Sequence, residues 1–277
     1  MFQYAFYRAN SKKIKNLCCD TSYFLKTEMH NGFELERIFN LNIQKNNNII
    51  LEKIIGSKTF FYKIIRKILK KMNFIFSTPE VYYMKNILNK KYLLFIGYWQ
   101  SEKYFLNIQD IIRQDFKFTN FENSKNIELK NTIEETNSIS VHIRRGDYLG
   151  NPFLDGLASL EYYKKSIDYI LKKVKNPKFI IFSDDIVWCK SNLVLDKDSI
   201  FVDWNIGRES FRDMQLMSLC RHNIIANSSF SWWGAWLNAN PKKIVLAPKR
   251  WFTKESNLDY GDIVPETWIK IENEKFY

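Results

Sequence analysis

The chain has 277 residues, of which 45% are hydrophobic and 16% aromatic. This supply of apolar side chains supports a sizeable core, and the length fits one large domain or two medium ones. The sequence contains no run of about 18 apolar residues, which argues against a transmembrane helix, and no signal-peptide pattern opens it. We therefore expect a cytoplasmic protein.

Lysine and arginine number 42 against 30 acidic residues, which gives a formal net charge of +12. The excess fits a solvated basic surface, and equally an anionic ligand, nucleic acid or an anionic membrane surface as partner. The lysines are spread along the whole chain, so the charge does not choose among these. No known nucleic-acid-binding module is recognisable, and we expect no nucleic-acid partner.

The four cysteines stand at positions 18, 19, 189 and 220. A chain of this length does not need disulfides to hold its core, so we expect reduced thiols. Cys220 and His222 lie close in sequence, but no paired C-x-x-C motif accompanies them. We therefore expect Cys220 to be a buried structural residue, with no metal and no cofactor.

The first half of the chain is predicted to be helical and irregular. Within residues 54–72 one helical face is apolar and the other holds five lysines and arginines. The apolar residues are Ile64, Ile65, Ile68 and Leu69. Such a helix packs on the core with its basic face in water, or lies on an anionic membrane. We favour the first and keep the second as an alternative, a peripheral contact with the cytoplasmic face of the inner membrane.

From residue 139 onwards short apolar strands alternate with helices, after a polar stretch, 119–138, that is predicted to be a loop and linker. The predicted strands are 138–143, 179–182, 199–202, 223–226 and 243–247. The predicted helices are 161–174, 210–220 and 231–237. This alternation is typical of βαβ units in an α/β domain with a parallel sheet. Ligands of such sheets bind beyond the carboxyl ends of the strands.

Two arginines directly follow the first of these strands, in the sequence SVHIRRGDYLG at 140–150. Arginine is always charged and its planar fork binds phosphate oxygens in a bidentate way, so Arg144 and Arg145 are suited to a diphosphate. Gly146 allows a sharp turn and close approach to a ligand. Asp147 is placed either to hold an arginine or to act on a substrate. A purely structural Arg–Asp cluster is the alternative.

A second cluster follows a later strand, in the sequence RHNIIANSSFSWWGAWLN at 221–238. Asn227 and the serines after it precede a predicted helix, where such side chains cap free backbone amides. A helix N-terminus is also an anion site, so the cluster predicts a second phosphate-binding feature at the same edge of the sheet. The serines are Ser228, Ser229 and Ser231. The three tryptophans of this helix are expected in the core.

Acidic residues form a third feature. Asp184 and Asp185 end a predicted strand, and Asp213 lies on a predicted helix. Carboxylates there can accept hydrogen bonds from ribose hydroxyls or guanine, hold a divalent metal on a nucleotide, or serve as helix caps and surface turns. The spacing leaves these alternatives open.

The chain resembles the bacterial α-1,2-fucosyltransferases of glycosyltransferase family 11. The similarity rests on VHIRRGDY at 141–148 and LCRHNIIANSSFSWWGAWL at 219–237, and it continues in FSDD at 182–185 and FQYAF at 2–6. It is dense over 139–250. The two long motifs together are specific, whereas the arginine motif alone is shared with α-1,6-fucosyltransferases and protein O-fucosyltransferases.

The resemblance implies transfer of L-fucose from GDP-β-L-fucose to the 2-hydroxyl of a terminal galactose in a cell-surface glycan, with inversion. The implied fold is GT-B, two Rossmann-like domains facing across a cleft. We expect an N-terminal acceptor-side domain over 1–135 and a GDP-fucose-binding domain over 139–277. Family members usually have a short strand and a glycine-rich loop before the residues that match MFQYA. We therefore expect an N-terminal domain that lacks its first strand, and a poorly stable and weakly active or inactive protein.

Residue roles follow from the same resemblance. Arg145 is expected to contact the pyrophosphate, with support from Arg144 and His142. If a general base acts, Asp147 is the candidate, with His142 behind it. The carboxylates expected near ribose and guanine, by analogy with related families, are Asp184, Asp185 and Asp213. The residues expected to offer backbone or hydroxyl contacts to the diphosphate are Asn227, Ser228, Ser229 and Ser231.

Two alternatives remain open from the sequence. One is a fucosyltransferase of another linkage, because the arginine motif is shared among linkages. The other is a non-catalytic homologue that binds a nucleotide sugar without turnover.

Overall fold

A computed structural model gives the structure of the chain and describes residues 1–25, 31–46, 53–54, 57, 59–72, 74–77, 81–85, 87, 94–195 and 198–273. The chain divides into two compact units, which we call unit 1 and unit 2. Unit 1 comprises residues 1–117 with 261–263, and unit 2 comprises residues 118–260 with 264–277.

Unit 1 is mainly helical with a small parallel sheet, as the sequence predicts for the first half of the chain. Its helices are α1 (Phe2–Asn10), α2 (Ser22–Leu25), α3 (Leu35–Phe39), α4 (Phe60–Lys71) and α5 (Gln109–Asp115). Its strands are β1 (Ile75–Ser77) and β2 (Leu94–Ile96). Aromatic rings build its core: Phe6 stacks on Trp99 with ring centroids 4.3 Å apart, and the edge of Tyr104 meets Phe6 at 5.4 Å.

Helix α4 lies largely outside that core, and none of its residues is fully buried. Of the four apolar residues predicted to face the core, Ile65 and Leu69 are half-buried, whereas Ile64 and Ile68 are 43% and 51% exposed. The prediction of a core-facing apolar side is therefore wrong for half of that side. No helix in the described ranges has the length and apolarity needed to cross a bilayer.

Unit 2 contains a six-stranded, wholly parallel sheet, which confirms the predicted α/β class. The strands are β3 (Asn137–Ile143), β4 (Pro177–Ser183), β5 (Ile200–Val202), β6 (His222–Ile224), β7 (Val245–Pro248) and β8 (Ile269–Ile271). Their spatial order is β5-β4-β3-β6-β7-β8. Counted from β3, this is the doubly wound order 3-2-1-4-5-6, whose switch point lies between β3 and β6.

Helices cover both faces of this sheet. They are α6 (Ser124–Glu135), α7 (Leu160–Lys173), α8 (Ile186–Asn192), α9 (Phe211–Leu219) and α10 (Ser229–Leu237). On one face Tyr162 and Ile170 of α7 pack with Ile181 of β4, while on the other Leu129 of α6 packs with Ile180. Adjacent residues of β4 thus point into opposite layers, as a pleated strand requires.

The predicted loop over 119–138 is wrong, because α6 occupies most of it. The side chain of Asn123 caps this helix by accepting from the backbone N–H of Lys125 at 2.9 Å. Leu129 and Ile133, four residues apart, face the sheet; this apolar signal is sparse among charged residues. The helix belongs to unit 2, so the border between the units falls at residue 117 rather than 135. Helix α8 and strand β8 were also missed by the sequence prediction.

Cys220 is a buried structural residue, as predicted. It is 1% exposed, and its thiol donates to the carbonyl of Leu216 at 3.5 Å. The neighbouring His222 accepts a backbone hydrogen bond from Ile244 on Nδ1 at 2.9 Å. Both side chains therefore serve the packing around β6.

Candidate functional site

The two sequence motifs meet at the switch point of the sheet. Strand β3 runs into Arg144 and Arg145, and the neighbouring strand β6 leads to Asn227 and the N-terminus of α10. The hydroxyl of Tyr148 donates to the carbonyl of Asn227 at 3.1 Å and joins the two loops. The carboxyl-end edge that sequence reasoning selected therefore brings both motifs together.

Arg144 is held by two carboxylates. Its Nε donates to Oδ1 of Asp147 at 2.8 Å, and one of its terminal nitrogens lies 3.2 Å from Oδ2 of Asp184. The guanidinium also lies over the ring of Tyr148, 5.8 Å from its centroid. Since the Arg144 side chain is 27% exposed, it remains accessible to an anion.

Arg145 is held from two sides. Its Nε donates to Oδ2 of Asp185 at 3.1 Å, and the guanidinium carbon lies 3.8 Å from the ring centroid of Trp188. The backbone N–H of Arg145 donates to Oδ1 of Asp184 at 2.9 Å. An arginine placed between a carboxylate and an aromatic face has few orientations left.

Gly146 allows the arginine turn to lie against the loop after β4. A Cβ on this residue would lie 2.6 Å from Oδ2 of Asp184, closer than a carbon and an oxygen can approach. The sequence predicts a close approach at this glycine, and the neighbour in the structure is the Asp184 carboxylate.

His142 is buried behind the arginines, with 4% of its surface exposed. Its carbonyl accepts from the hydroxyl of Tyr163 at 2.8 Å, and its ring lies 5.6 Å from that of Phe230. Its Nδ1 has no hydrogen-bond partner among the residues that the structure describes. Burial, and then the charge of Arg144, lowers the pKa of His142 to about 3. The imidazole is therefore neutral near pH 7.

The N-terminus of α10 is capped as the sequence predicts. The side chain of Ser228 accepts from the backbone N–H of Phe230 at 3.3 Å. Ser229 is exposed, whereas Ser231 is fully buried and its hydroxyl donates to the carbonyl of Ser228 at 3.3 Å. Ser228 and Ser229 thus lie at the helix tip, and Ser231 lies beneath it.

Asn227 fixes the loop before this helix. Its amide nitrogen donates to the carbonyls of Trp251 at 3.2 Å and Leu154 at 3.4 Å. Its Oδ1 is buried and has no partner within the described part of the chain. The residue is 2% exposed, so its side chain lies beneath the surface and fixes the position of the loop.

Asp213 lies in a different part of the same edge, beyond the end of β5. It accepts from the side-chain amide of Asn205 at 2.8 Å, and Asn205 and Trp204 both donate to Asn126 on α6. Burial raises the pKa of Asp213 to about 7, although the Asn205 hydrogen bond lowers it. Strand β4 separates this network from the arginines, so Asp213 does not join the arginine cluster.

The acidic residues after β4 sit with the arginines rather than alone. Asp184 and Asp185 each bind an arginine, and Asp185 also caps α8 by accepting from the backbone N–H of Trp188 at 3.1 Å. No group of three or more His, Cys, Asp and Glu side chains within the described residues is arranged to hold a metal ion. The two arginines and the three carboxylates of the cluster pair with one another.

The sequence analysis assigned no role to three side chains of this cluster. Tyr148 and Trp188 contact the arginines, and Tyr163 fixes His142. Tyr148 is the last residue of the motif VHIRRGDY, and Trp188 lies three residues after Asp185. Their positions beside these motifs are the sequence signal that could have identified them. Tyr163 looks like an ordinary core residue of α7, and no sequence signal marks its hydroxyl.

Comparison with known proteins identifies the family. The sequence model of the family described as "Glycosyl transferase family 11" matches residues 32–272 of the chain. The chain belongs to glycosyl transferase family 11. This glycosyltransferase is 38% identical to an alpha-1,2-colitosyltransferase of Escherichia coli, over 98% of this chain and 94% of that protein. Sequence reasoning had identified the same family.

Further relatives share less with this glycosyltransferase. The O-antigen biosynthesis glycosyltransferase WbnK of Escherichia coli is 32% identical over 98% of this chain and 96% of its own. Galactoside alpha-(1,2)-fucosyltransferase 2 of Sus scrofa is 29% identical over 48% of this chain and 41% of its own. The crystal structure of fucosyltransferase NodZ from Bradyrhizobium superposes with a TM-score of 0.38 at 12% identity, over 81% of this chain and 68% of NodZ.

Proposed function

We propose that this family 11 enzyme is a galactoside 2-α-L-fucosyltransferase. It transfers L-fucose from GDP-β-L-fucose to the 2-hydroxyl of a terminal galactose, with inversion at the anomeric carbon. Two relatives with α-1,2 in their names, one from Escherichia coli and one from Sus scrofa, support the linkage. The name of the second also supports the galactoside acceptor.

The observation that carries the proposal is the convergence of two anion-binding features at the switch point of a doubly wound sheet. Arg144 and Arg145 come from the end of β3, and the capped tip of α10 comes from the end of β6. Nucleotides bind in this place in such sheets. In this proposal unit 2 is the donor domain of a GT-B enzyme and unit 1 is the acceptor-side domain.

The chemistry needs a stabilised leaving group. As the bond between the anomeric carbon and the phosphate oxygen breaks, negative charge grows on GDP. Guanidinium groups and helix-tip amides that are already oriented stabilise this charge more in the transition state than in the ground state. Trp188 and Asp185 hold the Arg145 guanidinium, which reduces the ordering needed when the donor binds.

The acceptor hydroxyl loses a proton during transfer. Asp147 is the candidate general base, because its carboxylate is 53% exposed and lies beside Arg144 on the surface of the site. His142 is a weak base with a pKa of about 3 and no solvent-facing position. Its role in this proposal is to support the arginine turn from behind as a neutral ring.

The acidic residues divide into two roles. Asp184 and Asp185 position Arg144 and Arg145, and a ribose or guanine contact by either would be shared with an arginine. Asp213 and Asn205, past the end of β5, are the candidates for the nucleoside.

A second donor is favoured by one specific observation, the 38% identity to an alpha-1,2-colitosyltransferase over nearly the whole chain. Colitose is fucose without its 3-hydroxyl, so GDP-colitose would place its diphosphate in the same way. The O-antigen biosynthesis relative supports a bacterial cell-surface glycan as the acceptor.

A donor and linkage assay tests the proposal. The purified protein is incubated with GDP-fucose, GDP-colitose or UDP-galactose, with and without lactose or N-acetyllactosamine. We expect GDP release that depends on the galactoside, no reaction with UDP-galactose, and a product substituted at the galactose 2-hydroxyl by NMR. A product of another linkage would contradict the α-1,2 assignment. Donor binding without any GDP release would support the non-catalytic alternative.

A further inference from the structure

Helix α4 of unit 1 has three stripes along its surface rather than two. Tyr62, Ile65 and Leu69, at spacing i, i+3 and i+7, are half-buried and form the packed stripe. The second stripe is apolar and exposed, and the third is basic. A helix that only packs on a core needs one apolar stripe, so the second one is unexplained by folding.

The exposed apolar stripe is made of large side chains. Phe61, Ile64, Ile68 and Met72 follow the spacing i, i+3, i+7 and i+11 and are 65%, 43%, 51% and 56% exposed. Phe60 at the start of the helix is 78% exposed. Single exposed apolar residues are ordinary, but a contiguous row marks an interaction surface.

The flanking stripe is wholly basic. Lys63, Lys67, Lys70 and Lys71 are exposed, and no ion pair joins them to any described residue. Residues 59–72 contain no aspartate or glutamate. The fifth cation, Arg66, donates to the carbonyls of Ile54 at 2.6 Å and Ser57 at 2.9 Å and so holds the preceding segment. The lysines therefore face solvent beside the exposed apolar row.

We propose that α4 docks this protein on an anionic lipid surface. The exposed row of Phe60, Phe61, Ile64, Ile68 and Met72 enters the boundary between headgroups and acyl chains. The four lysines beside it contact anionic headgroups. A helix with an apolar face next to a lysine-rich face has the composition of an interfacial helix. Charge decides the occupant, since each lysine near an anionic surface strengthens binding, whereas a second copy would bring together two rows of lysines.

Vesicle flotation tests the proposal without any sugar donor, so its outcome is independent of the proposed transferase activity. The wild-type protein is mixed with vesicles of phosphatidylcholine alone or with an equal amount of phosphatidylglycerol. We expect flotation with the anionic vesicles and little with the neutral ones. Because insertion adds to electrostatic attraction, a part of the bound protein should remain after salt is raised.

Two variants separate the two stripes. Ile64→Ser with Ile68→Ser removes the centre of the apolar row, and Lys67→Gln with Lys71→Gln removes two charges. Each pair is expected to weaken partition into anionic vesicles at least about tenfold. The matched controls lie on α7 of unit 2: Leu171→Ser, at a leucine that is 54% exposed, and Lys172→Gln with Lys173→Gln, at exposed lysines. We expect the controls to float like the wild type, and all variants to keep the wild-type melting temperature.

Three results would overturn the proposal. The first is a wild-type protein that does not float with anionic vesicles or floats equally with neutral ones. The second is a pair of α4 variants that bind as strongly as their α7 controls. The third is self-association of the wild type, abolished by the isoleucine variant, with no vesicle binding; this would assign the stripe to a second copy.

Discussion

Two regions of the sheet in unit 2 differ in how their buried polar groups are bonded. Near the amino ends of β6 and β7, Asn223 donates to Ser140 and to the carbonyl of Met217 and accepts from Asn238. At the carboxyl ends, a buried nitrogen of His142 and a buried oxygen of Asn227 have no partner among the described residues. Satisfied polar networks stabilise a fold, whereas unsatisfied and charged groups cost stability. Unpartnered buried groups at the carboxyl ends agree with the binding site that we propose there.

The largest effect is expected from Arg145→Ala at the carboxyl edge. It removes a guanidinium that we place against the departing diphosphate, so kcat should fall about a thousandfold. Its ion pair with Asp185 is partly exposed, so the free energy of unfolding should change by only about 1 kcal/mol. Steady-state kinetics and urea unfolding measure both quantities.

Arg221→Ala is the matched control, because Arg221 is an exposed arginine just before the amino end of β6 in the same sheet. It should leave kcat at the wild-type value. Wild-type turnover by the Arg145 variant would contradict the role of the arginine, and equal losses in both variants would remove the contrast between the edges.

Asn223→Ala should produce the opposite result at the amino edge. Asn223 is fully buried, and its loss removes one hydrogen-bond partner each from Ser140, the Met217 carbonyl and the Asn238 amide, which keeps its bond to the Cys220 carbonyl. We expect unfolding to become easier by about 3 kcal/mol, with kcat/KM of the folded enzyme close to that of the wild type. Asn192→Ala, at an exposed asparagine that bonds one carbonyl, should cost under about 0.5 kcal/mol. A loss of activity without loss of stability in the Asn223 variant would refute this division of labour.

For Asp213→Asn the expected effect on stability depends on pH. Burial raises the pKa of Asp213 to about 7, so the folded protein holds a proton that the unfolded chain releases near about pH 4. The folded state binds more protons in this range, and the contribution of Asp213 to stability therefore falls as pH rises from about 4 to about 7. The asparagine variant lacks this pH dependence. The urea midpoint of the variant minus that of the wild type should therefore be larger at about pH 8 than at about pH 5. Parallel pH profiles of the two proteins would show that the carboxyl is not shifted.

The sequence predicts unit 2 well because its strands are short apolar runs and its motifs directly follow them. The position of the arginines after β3 and the caps of α10 before the tryptophans needed only local patterns. The ion-pair partners of the arginines could not be predicted from the sequence, because Asp185 lies 40 residues from Arg145. Opposite charges that far apart in the chain produce no recognisable sequence pattern. Helix α6 was missed because only Leu129 and Ile133 mark its buried side. The exposure of Ile64 and Ile68 on α4 was not predicted, because the sequence of an amphipathic helix does not indicate whether another element covers its apolar face.

The hydrogen bond from Tyr148 to the carbonyl of Asn227 joins loops that are 79 residues apart in the chain. The arginine turn and the tip of α10 are thereby coupled mechanically, and neither can shift far without drawing the other along or breaking this bond. If the proposed diphosphate binds at one of these loops, this bond transmits a displacement of that loop to the other.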